Sequence, residues 1–277
     1  MPIAATAEQA AIADSLAQWA KRAGTIAAVR GLESSGGRAS SADHPDLPVA
    51  GELWSGLAEL GIFSIPVPEA DGGGGGTVAD VAVVAEQLAT VMAPGPILPT
   101  LLGGLILARS SHVGGADYRT LLADTAAGKA AIGIGLTPDG VTGSMTTAGE
   151  MRVRGTARLV LGGGDVTWLL LGGETSDGPR WFLVRPGEAG VSMTARSPVD
   201  FSRPLADVSL QDVLVPPGRL LPAANQRLVP DLAATLAAAE ASGVAAWCIQ
   251  AAVEYARTRH QFGRPIGSFQ AIKHRCA

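Results

Sequence analysis

The sequence contains few of the residues on which several protein classes depend. Of its 277 residues, 2 are cysteine and 4 are histidine, so we expect neither a disulfide framework nor a metal site. Aromatic residues make up 4% of the chain, too few for the stacking surfaces that bind single-stranded nucleic acid. The net charge is -4, which excludes the broad positive field that nucleic-acid binding requires.

Apolar residues are plentiful instead, at 47% of the chain, which is enough for a large core and argues against disorder. The two isolated cysteines are typical of a reducing compartment, and residues 1–6 lack the pattern of a signal peptide, so we expect a cytoplasmic protein. The apolar run at 232–253 is long enough to span a membrane. It is mostly alanine and carries Glu240, Ser242 and Gln250, so we predict a buried helix of a soluble protein.

The first third of the chain has the pattern of helices. Thr6 with Gln9, and Thr77 with Asp80, have the spacing of capping boxes, and apolar residues follow each pair at helical intervals. The five-glycine run within 71–77 superficially resembles a phosphate-binding loop. Neither a Lys-Ser/Thr pair nor a suitably spaced acidic residue follows it, so we predict a flexible connection between helices.

The middle of the chain changes to the pattern of short strands separated by Gly, Pro and Asp turns. Six such segments occur, at 131–136, 151–161, 166–171, 181–185, 191–195 and 208–215. They predict a small antiparallel sheet or barrel. Together with the helices on either side, they predict an α+β protein with three domains. The predicted domains are an N-terminal helical domain at 1–128, a middle antiparallel β domain at 129–222 and the start of a C-terminal helical domain at 223–277.

The C-terminal part begins with a helix from 231 to about 259. A turn rich in glycine and proline follows, and Ser268 has the side chain of an N-cap for a last helix. That helix has barely begun at residue 277, so we expect a piece of a longer protein.

Residues 254–277, EYARTRHQFGRPIGSFQAIKHRCA, carry the most specific pattern of the chain. Chemistry alone allows a structural interpretation, in which Arg257 and Arg259 stabilise a helix end while Phe262, Ile266 and Phe269 pack in the core. The segment also closely resembles the C-terminal signature of acyl-CoA dehydrogenases, Tyr-Ala-x-x-Arg-x-Gln-Phe-Gly-x-Pro-Ile-x-x-Phe-Gln. The matching residues are Tyr255, Ala256, Arg259, Gln261, Phe262, Gly263, Pro265, Ile266, Phe269 and Gln270. Stretches that begin at Leu53 and Val83 are similar to two further helical regions of the same family.

This resemblance implies a cofactor and a reaction. Members of the family bind FAD and oxidise acyl-CoA thioesters, a carboxylate removing the α proton while hydride passes from the β carbon to the flavin. An electron-transfer acceptor then reoxidises the flavin. Arg259 matches the arginine that reaches the FAD pyrophosphate of a neighbouring subunit, a role that suits a planar guanidinium. Gln261, Phe262 and Gln270 match positions that line the adenine side of the same pocket.

Two segments depart from the family pattern where the flavin ring would lie. The family segment Thr-Glu-Pro-x-x-Gly-Ser-Asp reads GLTPDGVTGSMTT here, so the Glu is missing and the Gly-Ser pair is displaced. In the second segment, GTARLVLGGG, the usual Lys, Trp, Thr and Asn are replaced. The residues at those positions are Ala157, Leu159, Leu161 and Gly162.

No residue matches a catalytic base of the family. The usual glutamate lies far beyond the signature, past the last residue of this chain. The alternative position for the base corresponds to Ala233, and the nearby carboxylates of Asp231 and Glu240 match neither position. We predict that Glu240 is a structural hydrogen-bond partner, and the catalytic residue stays unassigned.

The residues leave three functions open. The first is the flavin-poor subunit of a heterotetrameric acyl-CoA dehydrogenase, paired with a complete homologous subunit. The resemblance is to actinobacterial heteromeric members of the family, whose substrates include CoA thioesters of steroid side chains. The second function is an active homo-oligomeric dehydrogenase with a diverged flavin segment. The third is a non-enzymatic scaffold derived from the family.

Overall fold

A computed structural model describes residues 5–34, 51–110, 116–164, 166–222 and 227–277. Residues 34–46 are rich in glycine and serine, with one proline, which predicts a loop, and all but the first of them lie outside these ranges. Six α-helices form the N-terminal part of the described chain. They are α1 (Ala7–Ala23), α2 (Thr25–Ser34), α3 (Glu52–Glu59), α4 (Val78–Thr90), α5 (Ile97–Ala108) and α6 (Ala116–Ala126).

Both predicted capping boxes are confirmed. The Thr6 hydroxyl accepts from the Gln9 amide and the Gln9 side chain accepts from the Thr6 amide, while Thr77 and Asp80 form the same reciprocal pair at the start of α4. Helix α1 ends at Gly24, whose φ of 64° is a left-handed conformation that glycine adopts without strain. Helix α2 follows at once and has no counterpart in the prediction.

Helix α5 joins the helical part to the sheet. It is apolar on all sides and nearly all of its residues are buried, as expected of a helix surrounded by other elements. The hydroxyl of Thr100 donates to the Pro96 carbonyl and accepts from the Ile132 amide at 3.0 Å. A β carbon at Gly103 would lie 2.8 Å from the Ile132 side chain, so the glycine allows the helix to approach the first strand closely.

The middle of the described chain forms a seven-stranded sheet in the order β1-β4-β2-β3-β7-β6, with β5 paired to β4. The strands are β1 (Ile132–Ile134), β2 (Val141–Met145), β3 (Met151–Leu161), β4 (Trp168–Thr175), β5 (Gly178–Val184), β6 (Val191–Arg196) and β7 (Leu205–Val215). Strand β2 was not predicted, because only its first residue is buried and its remaining side chains lack an apolar pattern. Strand β4 pairs in parallel with β1 and β2, and the other pairings are antiparallel.

The C-terminal part begins with α7 (Leu228–Thr258), which agrees with the predicted helix. A small hairpin of β8 (His260–Gln261) and β9 (Arg264–Pro265) follows, and α8 (Gln270–Cys276) comes last. The prediction of Ser268 as the N-cap is wrong, because Phe269 occupies that position and the Ser268 hydroxyl donates to the Pro265 carbonyl in the preceding turn. The three domain boundaries stay a prediction.

Within this chain α7 is buried over only part of its length, and its burial by other subunits stays a prediction. Its buried residues are Val229, Leu232, Leu236, Gly243 and Ala256. Within the described ranges α7 is the one helix long and apolar enough to cross a membrane by length and composition, and 17% of its most apolar window is buried. A helix of the core of a soluble protein passes the same test.

Candidate functional site

A cavity of about 570 Å³ lies between the helices and the sheet. Its walls come from the corner between α4 and α5, the C-terminal ends of β1 and β3, the segment that precedes β7, and α7. Most of the lining side chains are hydrocarbon. The apolar members are Ala89, Met92, Leu98, Pro99, Leu102, Leu136, Leu161, Pro204, Ala233, Ala237, Ala241, Val244 and Trp247.

Helix α7 supplies one wall through a single face. Ala233, Ala237, Ala241 and Val244 line the cavity at intervals of three and four residues, which is the spacing of neighbours on a helical surface. The small alanine side chains leave the volume open. Ala233, the position that corresponds to a family catalytic base, faces the cavity without a carboxylate.

One charged cluster interrupts the apolar lining. The Glu240 carboxylate of α7 accepts a hydrogen bond from the Arg203 guanidinium. The Arg203 Nε atom also lies 4.0 Å from Asp200 Oδ2. Burial raises the pKa of the Glu240 carboxyl above its ordinary value, an effect that the positive charge of Arg203 opposes. The prediction that Glu240 is a hydrogen-bond partner is therefore confirmed. Its partner Arg203 was missed, because residues 37 positions apart in sequence leave no local signal.

The sheet side of the cavity contains the two segments that depart from the family pattern. Leu136 and Leu161 line the cavity, and Leu159 lies at an irregularity in the β3–β7 pairing with a φ of 53°. The side chain of Leu159 is 60% exposed, and its amide donates to Asp207 Oδ1 at 3.2 Å. A hydrogen bond from Arg196 lowers the pKa of Asp207, which keeps the carboxylate ionised as an acceptor for that amide.

These residues do not fit a flavin ring held by hydrogen bonds from the same segments. The amide of Gly135 donates to the Leu170 carbonyl, the amide of Gly162 donates to the Pro204 carbonyl, and the Leu159 amide is taken by Asp207. The side chains of Leu136, Leu159 and Leu161 carry no donor or acceptor. This wall therefore offers apolar contact and little polar recognition.

The glycine run between α3 and α4 is not a phosphate cradle. Its amides are used within the chain, because those of Gly74, Gly75 and Gly76 donate to the carbonyls of Ser64, Val67 and Ile65 at 2.8 Å each. A β carbon at Gly76 would lie 2.6 Å from the Ile65 side chain. The run therefore packs the chain on itself, as a structural connection.

The residues of the C-terminal signature lie together at the surface. Arg259 is the C-cap of α7, outside its last turn, and the Ile266 amide donates to its carbonyl at 2.8 Å. Its side chain is exposed and forms no ion pair within the described ranges. Gln261 lies in the hairpin that follows, and Gln270 is the first residue of α8; both are exposed.

Phe262 does not pack in the core, which corrects the structural interpretation of the signature. It is 90% exposed at the tip of the β8–β9 hairpin, where its φ is 54°. The rings of Phe262 and the half-buried Phe269 lie edge to face with their centroids 6.1 Å apart, and the Arg264 guanidinium lies over the Phe269 ring, 4.1 Å from its centroid. The structure thus places Gln261 and Phe262 on one exposed hairpin, with Arg259 directly before it and Gln270 at the start of α8.

Family models cover both ends of the chain. The model described as "Acyl-CoA dehydrogenase, N-terminal domain" matches residues 6–112, and the one described as "Acyl-CoA dehydrogenase, C-terminal domain" matches residues 231–277. A curated relative, acyl-CoA dehydrogenase IpdE2 of Mycolicibacterium smegmatis, is 31% identical over 256 residues, which are 91% of this chain and 69% of that protein. This chain belongs to the acyl-CoA dehydrogenase family.

A second relative, acyl-CoA dehydrogenase FadE34 of Mycobacterium tuberculosis, is 36% identical over 98% of this chain. The chain spans 35% of the length of that relative, and 59% of the length of IpdE2 of M. tuberculosis, to which it is 33% identical. The acyl-CoA dehydrogenases thus include relatives considerably longer than the sequence described here.

Two solved structures have the same fold over nearly the whole chain. The ChsE4-ChsE5 complex from M. tuberculosis matches with a TM-score of 0.82 and 25% identity, covering 100% of this chain and 74% of that chain. The Tcur3481-Tcur3483 steroid acyl-CoA dehydrogenase variant matches with a TM-score of 0.82 and 25% identity, covering 97% and 72%. The resemblance to actinobacterial heteromeric acyl-CoA dehydrogenases and the predicted order of helices, sheet and helices are thereby confirmed.

Proposed function

We propose that this chain is the flavin-poor subunit of a heteromeric, cytoplasmic acyl-CoA dehydrogenase. A complete homologous subunit is its partner, and the complex introduces an α,β double bond into a CoA thioester. FAD, the cofactor of the family, supplies the oxidising capacity, and an electron-transfer acceptor removes the electrons. The proposal covers the assembled protein, of which this chain is one part.

The observation that carries the proposal is a contrast between two surfaces of the chain. The wall where this chain would contact its own flavin ring has leucine side chains, and the amides of Gly135, Leu159 and Gly162 in these segments are already paired. The hairpin that carries Arg259 is exposed and its guanidinium is unpaired within the described ranges. An exposed guanidinium suits the pyrophosphate of a cofactor held by another subunit. Gln261, Phe262 and Gln270 would contact the adenine side of that cofactor.

The exposed length of α7 supports an assembly. Large apolar side chains on this helix are exposed outside the cavity lining, and Ile249 and Tyr255 are 56% and 59% exposed. Large apolar side chains left exposed on a long helix are typical of contact surfaces. A partner of the same fold would cover the helix. Two structural neighbours, the ChsE4-ChsE5 complex and the Tcur3481-Tcur3483 protein, are each named after two proteins.

The substrate proposed is a bulky, apolar thioester such as one with a steroid-derived acyl group. The cavity volume of about 570 Å³ lies within the range of pockets that enclose drug-sized ligands. A neighbour with the same fold is described as a steroid acyl-CoA dehydrogenase. This assignment of substrate rests on that likeness together with the apolar lining.

The experiment is to purify the chain alone, the homologous subunit alone, and the two together, and to record the visible flavin spectrum of each. We expect a colourless chain, and a yellow complex that is bleached by an acyl-CoA substrate under anaerobic conditions. A chain that carries near-stoichiometric flavin by itself would support the homo-oligomeric enzyme instead. A colourless complex would support the non-enzymatic scaffold.

A further inference from the structure

The charged cluster in the cavity lowers the stability that an apolar wall would provide, which suggests that it serves to bind a ligand. Glu240 and Arg203 have side chains that are 19% and 24% exposed, so both charges are largely removed from water. Apolar residues of similar size would fill such a site at no loss of stability in many proteins. Pockets that bind small molecules, in contrast, combine apolar walls with a few polar groups that orient the ligand.

The charges of the cluster determine which ligands it accepts. Asp200 and Glu240 contribute two carboxylates and Arg203 contributes one guanidinium, so the carboxylates outnumber the cation. Asp200 is oriented by the Ser202 hydroxyl and amide, which both donate to its Oδ1 at 2.6 Å and 2.9 Å. An anionic ligand group would meet two carboxylates and be repelled.

Glu240 has an acceptor that the protein leaves unused. Its Oε1 accepts from Arg203, whereas Oε2 accepts no hydrogen bond within the described ranges. Oε2 has no hydrogen-bond partner in the described part of the chain and is not buried, so it is accessible to a ligand. An accessible carboxylate oxygen in an otherwise hydrocarbon wall accepts a hydrogen bond from a ligand donor.

We propose that this cavity binds an apolar group bearing a hydroxyl, which donates a hydrogen bond to Glu240 Oε2. The inference rests on the proposed function, in that the apolar group is the acyl part of a CoA thioester. Glu240 then determines the ligand preference of this cavity, which favours hydroxylated acyl groups over plain hydrocarbon ones and excludes carboxylated ones. Arg203 is a positioning residue that holds the Glu240 carboxylate against α7.

Trp247 provides a probe in the wall of this cavity. It lines the cavity and is one of five tryptophans in the chain. Fluorotryptophan incorporated into this chain, in complex with an unlabelled partner subunit, gives a fluorine NMR resonance that Trp247→Phe identifies. The ligands are the CoA thioester of cyclohexylacetate, its ring-hydroxylated analogue and its ring-carboxylated analogue.

We expect the hydroxylated thioester to bind about ten- to a hundredfold more tightly than the plain one, because the acceptor is charged. Glu240→Gln keeps a neutral acceptor and should reduce the ratio to about two- to tenfold, while Glu240→Leu should abolish it. The control is Glu86→Gln, because Glu86 Oε1 accepts from Ser242 at 2.7 Å and does not line the cavity. That variant should leave the ratio unchanged.

A ratio of one in the wild type would overturn the inference. So would an unchanged ratio in Glu240→Gln, or a carboxylated thioester that binds as tightly as the hydroxylated one. If the ion pair of Glu240 with Arg203 were purely structural, its loss in the Glu240 variants would lower the free energy of unfolding without altering the ratio between the ligands. If the Trp247 resonance does not respond while the complex carries flavin that substrate bleaches, the inference fails and the proposed function stands. If the complex is colourless and the Trp247 resonance still discriminates the ligands, the proposed function fails and the ligand preference of the cavity stands.

Discussion

Gly243 on α7 lies directly against the main chain of Glu86 on α4. A β carbon at Gly243 would lie 2.1 Å from the Glu86 carbonyl oxygen, a separation that no real side chain adopts. The Thr90 hydroxyl bridges the same crossing, donating to the Glu86 carbonyl at 3.0 Å and lying 3.3 Å from the Gly243 carbonyl. This crossing fixes the position of α7 and therefore the cavity wall that Ala237 and Glu240 form.

The first prediction concerns this helix crossing. Replacing a helical glycine with alanine ordinarily stabilises a protein by about 0.5–1 kcal/mol. We expect Gly243→Ala to do the opposite and lower the free energy of unfolding by roughly 1–3 kcal/mol, because the helices must separate. Gly31→Ala on α2 is the control, since a β carbon there would meet nothing within 4 Å. Urea denaturation measures both, and stabilisation by both substitutions would contradict the crossing.

The second prediction concerns Arg259. We expect Arg259→Ala to weaken flavin retention by the complex about ten- to a hundredfold, because a charge-assisted hydrogen bond to the pyrophosphate is lost. Arg259→Lys should restore only part of the affinity, because an ammonium cannot make the bidentate contact. The flavin content of the purified complex and its thermal stability are measured together.

Arg257 provides the control for this experiment. It is exposed and lies in the last turn of α7, whereas Arg259 lies beyond the helix in extended backbone. Equal flavin content in the Arg259→Ala complex and the wild type would show that Arg259 has no cofactor role. An equal loss from Arg257→Ala would indicate a general effect of charge.

The third prediction concerns pH and Glu240. Its pKa is raised in the fold, so folding favours the protonated carboxyl. The contribution of Glu240 to the free energy of unfolding is full below its ordinary pKa of 4.5 and is lost as the pH rises through the folded-state value. Glu240→Gln cannot titrate, so its stability relative to the wild type should increase across that interval. A constant difference across it would show that burial does not dominate this pKa.

The contribution of Asp207 to the free energy of unfolding should change with pH in the opposite direction. Its pKa is lowered, chiefly by the hydrogen bond from Arg196, so its contribution is present above its ordinary pKa of 3.8 and is lost at lower pH. Asp207→Asn should therefore gain on the wild type as the pH falls, in the same denaturation series.

The fourth prediction concerns the exposed face of α7. We expect the chain alone to self-associate or aggregate at micromolar concentration, because apolar side chains of α7 are exposed to water. With its partner subunit, we expect it to form a defined complex that buries them. Ile249→Lys should weaken the complex, as seen by size-exclusion chromatography with light scattering. Val199→Lys is the control, since Val199 is fully exposed but lies in a segment before β7. A stable, well-behaved monomer of the wild-type chain would argue against this interface.

The fifth prediction concerns the left-handed residue on β3. Leu159 has a φ of 53°, a conformation that costs a residue with a β carbon roughly 1–2 kcal/mol. Because the side chain is largely exposed, Leu159→Gly should raise the free energy of unfolding by up to about 1 kcal/mol. Arg158→Gly, at the adjacent exposed position, should lower it by about 0.5–1 kcal/mol. The strain at Leu159 would be refuted if both substitutions destabilise the protein equally.

Part of the fold could be predicted because its determinants lie within a few residues of one another. The capping pairs Thr6–Gln9 and Thr77–Asp80 each close within one helical turn, so the sequence contains the whole interaction. The long helix and the signature of the C-terminal part are equally local. The roles of Arg259, Gln261, Phe262 and Gln270 stay predictions, because they concern a second subunit.

The tertiary structure decided what depends on distant residues. Strand β2 exists because β3 pairs with it, and its own side chains give little sign of a strand. Arg203 reaches Glu240 across 37 positions, and the cavity around them is formed by elements from all parts of the described chain. A sequence reports the chemistry that each residue carries. Which charges share a buried wall, and which faces of a helix remain uncovered, depends on how the elements pack.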